Sequence, residues 1–148
     1  MEICVYYEKI NEDSIRINKV YSSSPTIEIP ELIDGYIVRE IGNYCFSKKE
    51  VDLSNSILSH EIRSSYHECS GSDVESVKLS KTLTKIGDYA FYNCRMLKEV
   101  FLPSGLMSIG SDAFMNCLRL NHIHYDCSIF SETILKQILT QITWDVEV

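Results

Sequence analysis

LTKIGDYAFYNCRMLKEVFLP (83–103) and LMSIGSDAFMNCLRLNHIHYD (106–126) carry one pattern twice, 23 residues apart. Leu83/Leu106, Ile86/Ile109, Gly87/Gly110, Ala90/Ala113, Phe91/Phe114, Asn93/Asn116, Cys94/Cys117 and Leu97/Leu120 coincide, and Val100/Ile123 match conservatively. A period of about 20–30 residues signals stacked supersecondary units, none of which buries its apolar face alone. The pattern decides architecture before it says anything about chemistry.

Outward from these two copies the pattern frays. Ile41-Gly42 with Cys45-Phe46 repeats Ile86-Gly87 with Ala90-Phe91, 45 residues earlier, which is close to two periods. A worn copy is therefore expected between them. Val51-Asp52-Leu53-Ser54 matches Val77-Lys78-Leu79-Ser80 and Val100-Phe101-Leu102-Pro103. Tyr66 and Cys69 keep the step of Phe91 to Cys94, and Val74 and Val77 that of Leu97 to Val100. Extra residues near 58–61 and 70–73 are assigned to loops on one side of a coil. The expectation is about four coils over 27–126, inside a single domain spanning 1–148.

These residues resemble the treponemal, or BspA-like, subclass of leucine-rich repeats. Its signature runs roughly Leu-x-x-Ile-Gly-x-x-Ala-Phe-x-x-Cys-x-x-Leu-x-x-Val-x-Leu-Pro. Residues 83–103 carry every term and 106–126 all but the end, while 27–46 looks like a first repeat with Cys45 for Ala. The resemblance implies an α/β solenoid, a right-handed superhelix with a parallel strand face and one-turn helices. In such a coil Val-x-Leu is a short strand with alternate side chains inward. Gly87 and Gly110 are expected where the chain turns sharply and a Cβ would clash. Asp88, or Ser111-Asp112, is expected to cap a single helical turn containing Ala-Phe. Phe91 and Phe114 fill the centre.

A solenoid needs covered ends. At the front (1–26), residues 3–7 and 14–21 alternate apolar and polar around Asn11-Glu12-Asp13, which predicts a β-hairpin cap. At the back (127–148), Ser131 is expected to cap a helix striped with Ile134, Leu135, Ile138, Leu139 and Ile142, followed by a strand through Trp144, Val146 and Val148.

Composition narrows the function classes. With 148 residues and 45% apolar content the chain is long enough for a real core. A net charge of −7, with Lys48-Lys49 the densest basic run, argues against nucleic acid as a partner. There is no stretch of apolar residues long enough for a membrane span. Residues 1–20 lack the basic start and apolar run of a secretory signal, so a cytoplasmic location is expected, with the cell surface or secretion as the alternative if the N-terminus has been trimmed. The six cysteines are read as free thiols: Cys69, Cys94 and Cys117 in one slot of successive coils, Cys45 in the Ala slot, and Cys4 and Cys127 in the end segments.

The strand register gives the outward columns. One holds Thr26, Glu50, Ser76, Glu99 and His122; the next holds Glu28, Asp52, Lys78, Phe101 and His124. Phe101 is an aromatic flanked by Lys78 and His124, the composition of an interaction hot spot, although it is equally a lone surface apolar residue. His122-x-His124-x-Asp126 opens like the zinc motif of metallo-β-lactamases, and on a strand all three face one way. Cys127 replaces that motif's final His and no later His follows, so a metal site there is the lesser reading. No nucleophile elbow, phosphate loop or dinucleotide fingerprint is present.

The expected function is a non-enzymatic module that recognises a protein partner through the strand face, using Phe101, Lys78, Glu99, His122, His124 and Asp52, with no cofactor. The resemblance implies adhesion or protein contacts, often at microbial surfaces. A carbohydrate or other small ligand on the same face stands as the alternative.

Overall fold

A computed structural model of the chain describes residues 2–125 and Lys136. Its strands are β1 (Ile3–Lys9), β2 (Ser14–Ser22), β3 (Thr26–Glu28), β4 (Leu32–Ile33), β5 (Tyr36–Ile41), β6 (Ile57–Leu58), β7 (His67–Glu68), β8 (Ser76–Lys78), β9 (Lys85–Ile86), β10 (Glu99–Phe101), β11 (Ser108–Ile109) and β12 (His122–His124). They form a β-solenoid of about 5 turns. One sheet runs β12-β10-β8-β3, all parallel. The other runs β11-β9-β5-β2-β1-β6, with β4 on β5 and β7 on β2. Within it β11, β9, β5 and the first half of β2 are parallel, while β1 and β2 form an antiparallel ribbon.

The worn copy expected between Phe46 and Phe91 is not a coil. β3 pairs directly with β8, Ile27 opposite Val77, although 50 residues separate them against 23 for the next two steps of the ladder. Val51–Ser54 joins no strand. The chain instead makes an excursion over about residues 47–73 that returns along the β1–β2 ribbon. There β6 pairs with β1 and β7 with β2, both antiparallel. Cys69 is not in the slot of Cys94 and Cys117; its backbone N–H bonds Val20 O at 2.8 Å as the excursion closes. Lys19 pins both ends of the detour. Its side chain is 2% exposed, and Nζ donates to Tyr44 O and Ser47 O and pairs with Glu68 Oε1 at 3.6 Å.

The expected one-turn helices are absent too: residues 43–46, 88–93 and 111–116 are turns. Tyr44, Tyr89 and Asp112, and then Asn93 and Asn116, adopt left-handed φ between 51° and 62°, so the segments close isolated turn bonds, such as Tyr92 N–H to Tyr89 O at 3.0 Å, and do not propagate a helix. Other backbone bonds of these turns go to the next coil. Tyr44 N–H reaches Asp88 O, Phe46 N–H reaches Ala90 O, and Phe91 N–H reaches Ala113 O at 2.7–3.0 Å. Asp88 caps no turn of its own coil; its Oδ1 accepts the Ser111 N–H of the next one, as Asn43 Oδ1 accepts that of Asp88, each at 2.8 Å.

Gly87 and Gly110 are required by approach between coils, not by a special φ. A Cβ on Gly87 would lie 2.6 Å from Asn43 N and 2.7 Å from Gly42 C. On Gly110 it would strike the Asp88 nitrogen and lie 2.5 Å from Gly87 C. With coils this close, identical side chains stack: Phe46 on Phe91 at 4.8 Å and Phe91 on Phe114 at 5.0 Å between ring centroids, nearly parallel. The ring column, Ile27, Val77 and Val100 of one sheet, and Ile17, Ile41 and Ile86 of the other are buried in one continuous core. The thiols join it: Cys94 Sγ donates to Phe46 O and Cys117 Sγ to Phe91 O. Apart from Lys136, the residues of the helix and strand expected over 131–148, with Asp126 and Cys127, lie outside the described residues.

Gly87→Ala should therefore destabilise the protein by about 1–3 kcal/mol through a backbone clash that cannot be relieved by a rotamer change. Gly105→Ala, whose Cβ would meet nothing nearer than Lys81 O at 3.8 Å, should be neutral or stabilising by about 0.4–1 kcal/mol. Urea melts of the two variants separate these outcomes, and equal losses would refute close approach as the reason for the glycine.

Candidate functional site

Period-two alternation turns one set of side chains of the four-stranded sheet into the core and the other outward. The ladder aligns Thr26, Ser76, Glu99 and His122 in one outward row and Glu28, Lys78, Phe101 and His124 in the next. Their spacing is that of neighbouring strands, about 4.8 Å. Five of the six candidate residues thus lie together: Phe101, Lys78, Glu99, His122 and His124. Asp52 does not join them. It sits in the excursion, exposed, where hydrogen bonds from Ser54 hold its carboxyl below the ordinary carboxylate range.

The five are organised by a ring stack. Phe101 and His124 lie 4.0 Å apart at 8° between planes, and His122 follows at 6.0 Å. His124 Nε2 donates to Glu99 Oε1 at 3.1 Å; a carboxylate only accepts, so Nε2 carries the proton. This diagonal contact was missed in the sequence, yet its signal is there. Residues 25 apart are one repeat plus two positions, the offset at which long side chains on neighbouring strands still touch. Phe101 is half-buried by the stack, whereas Glu28, Lys78, His122 and His124 are exposed. The result is a flat apolar ring surface rimmed by a cation, carboxylates and imidazoles.

Among the described residues no three His, Cys, Asp or Glu side chains are grouped so as to hold a metal. His122 and His124 therefore bring at most two ligands there, and Asp126 lies outside the described residues. The described cysteines are all buried and none forms a disulfide. Burial pushes the thiols of Cys45 and Cys69 up to about 12 and raises that of Cys94. Such groups are neutral at ordinary pH and make poor nucleophiles.

The profile of the BspA type leucine rich repeat region matches residues 16–138 in six copies. The chain belongs to that family. Two solved structures are similar over most of this chain. A T. pallidum leucine rich repeat protein is 25% identical with a TM-score of 0.63, the match covering 84% of this chain and 48% of that one. A leucine rich cell surface protein of Faecalibacterium prausnitzii A2-165 is 26% identical with a TM-score of 0.56, covering 80% and 28%. The chain thus spans about half the length of the first and just over a quarter of the second. No curated protein matches it. BspA-type repeats are typically interaction or surface modules. No described helix is long and apolar enough to cross a membrane.

The buried thiols make a pH test. In the unfolded chain they ionise near 9, while Cys45 and Cys69 keep their protons to about 12 when folded. The unfolded state then binds fewer protons above about pH 9, so these thiols should make stability fall progressively from there towards pH 12, with Tyr7, raised from 10 to about 12 by burial, adding to the fall above about pH 10. Urea midpoints across this range check the slope. Iodoacetamide labelling with peptide mapping at about pH 8 should leave Cys45, Cys69 and Cys94 unmodified until denaturant is added.

Proposed function

We propose that this chain is a non-enzymatic recognition module that holds a protein partner on the outer face of β3, β8, β10 and β12. The observation that carries this reading is the Phe101–His124 stack, an aromatic surface on outward positions of a rigid sheet. Aromatic anchors surrounded by polar groups carry a disproportionate share of binding energy at protein interfaces. Lys78 and Glu28 on one side, with Glu99 and His122 on the other, supply the polar rim that sets orientation. The likeness to a cell surface protein favours display outside the cell over the cytoplasmic location expected from residues 1–20.

Affinity capture from host and bacterial extracts tests the face when three baits are compared: the unaltered chain, Phe101→Ala/His124→Ala, and Lys85→Glu. Lys85 is exposed on β9 in the opposite sheet. A partner of the strand face should be retained by the unaltered chain and by Lys85→Glu, and lost by about 30-fold or more from the double variant. Equal retention by all three would move the binding surface elsewhere. Surface biotinylation of intact producing cells tests display.

A further inference from the structure

The excursion over residues 47–73 builds a feature that the regular coils lack. Where it leaves the stack it carries Lys48 and Lys49, and where it returns it carries Gly71 and Ser72. Between these ends and the turn of the next coil lies an open cavity of about 300 Å³. The next coil contributes Tyr92, Asn93 and Arg95 to its wall. We propose that this cavity binds a tetrahedral oxyanion, as sulfate or phosphate or as the sulfate or phosphate ester of a sugar.

Three observations converge on that chemistry. First, the wall holds three cations and no carboxylate, in a chain whose net charge is −7. Elsewhere four of the described cations are paired, Arg16 with Glu8 and Glu40, Lys19 with Glu68, Lys81 with Glu31, and Lys98 with Glu75, while others such as Lys78, Lys85 and Arg119 stand singly and away from this cavity. Among the described residues neither Lys48 nor Arg95 has an ion-pair partner. Lys49 meets only the Tyr44 ring, at 4.4 Å, and its hydroxyl at 3.4 Å. Like charges lining one cavity repel, and an anion held among them turns that cost into attraction.

Second, among the neutral polar groups on the wall, which also include Ser47, Ser72 and Tyr92, Asn93 has a donor to offer. Asn116 Nδ2 donates to Asn93 Oδ1 at 2.9 Å, so Asn93 has its Nδ2 amide left to give. Oxyanions take amide, guanidinium and ammonium donors, with the planar Arg fork adding direction.

Third, the backbone is shaped to let a cation in. Gly71 has φ of +56°, and a Cβ there would meet Lys48 Cε at 2.7 Å and Cγ at 2.9 Å. The absent side chain leaves room for the Lys48 stem to lie across the excursion's return. Tyr92 and the methylene stems give the cavity an apolar part, which suits the ring of a sugar ester better than a bare ion. Nothing in this site depends on the strand face, and the two stand or fall separately.

The test is an NMR titration of the ¹⁵N-labelled full chain with sodium sulfate, sodium phosphate and glucose 6-sulfate, against sodium chloride at matched ionic strength. Saturable shifts are expected at Gly71, Ser72 and Asn93, at about millimolar affinity, with none at β10 or β12. Lys48→Gln, Lys49→Gln and Arg95→Gln should each weaken binding by about three- to tenfold, and Phe101→Ala should not change it. All are partly or fully exposed side chains, and unchanged thermal midpoints would confirm that folding is intact. Tighter binding of the sugar sulfate than of sulfate assigns the site to an ester; equal binding assigns it to the free anion. Shifts that chloride reproduces, or that survive the triple substitution, overturn the proposal.

Discussion

Coil-to-coil approach at the Ile-Gly step is the constraint on which the rest of this molecule depends. With the Gly87 α-carbon pressed over the backbone of Asn43 and Gly42, and Gly110 over Asp88 and Gly87, successive turns have one permitted separation. Every column inherits it. The Phe46–Phe91–Phe114 rings stack at 4.8 and 5.0 Å, near the separation of neighbouring strands. At that distance the carbonyls of one turn accept the amides or thiols of another, as Phe46 O does from Cys94. A short left-handed residue such as Asn93 or Asn116 is then preferable to a helical turn, because a helix would direct those amides back along its own axis.

This explains what could be read from residues alone. Positions that recur every 23 residues face the same surroundings, so the Phe column, the Leu83/Leu106 and Leu97/Leu120 pairs and both outward rows of the strand face, apart from Glu50 and Asp52 of the excursion, are legible in the residues. The turns were not. Asp88 followed by Ala-Phe reads as a cap and a helix by local chemistry, and only the neighbouring coil, which takes the backbone bonds, decides against it. Local rules fail where the partner is remote in sequence.

The supposed coil at 51–80 misled for a different reason. The detour happens to be nearly one repeat long, so Phe46 and Phe91 appear two periods apart when they are in contact. Val51 and Leu53 imitate a strand because half-buried residues on any chain segment tend to alternate, and both are only partly buried here. Cys69 keeps the spacing of Cys94, reaches the core, and yet arrives there from outside the stack through Val20. A spacing match of two or three residues is weak evidence. Eight coincident positions, as in 83–103 and 106–126, are not matched by chance.

The same rigidity that fixes the stack bears on recognition. A side chain on a free loop loses rotamer and backbone freedom when a partner orders it, at about 0.5–1.5 kcal/mol for each side chain immobilised. Phe101 has already lost most of that freedom. It is flanked by parallel strands, stacked on His124, and His124 is itself held by Glu99. The ring cannot turn into the core to hide, since Val100 and Leu102 fill the inward positions on either side. A partner with a complementary flat apolar group meets a surface that needs no rearrangement, and the binding energy of the aromatic contact is spent on association rather than on ordering. The regular coils provide this preorganised face, and the one irregular segment brings Lys48 and Lys49 beside Arg95 of the next coil. Repetition supplies geometry here, and departure from it supplies chemistry.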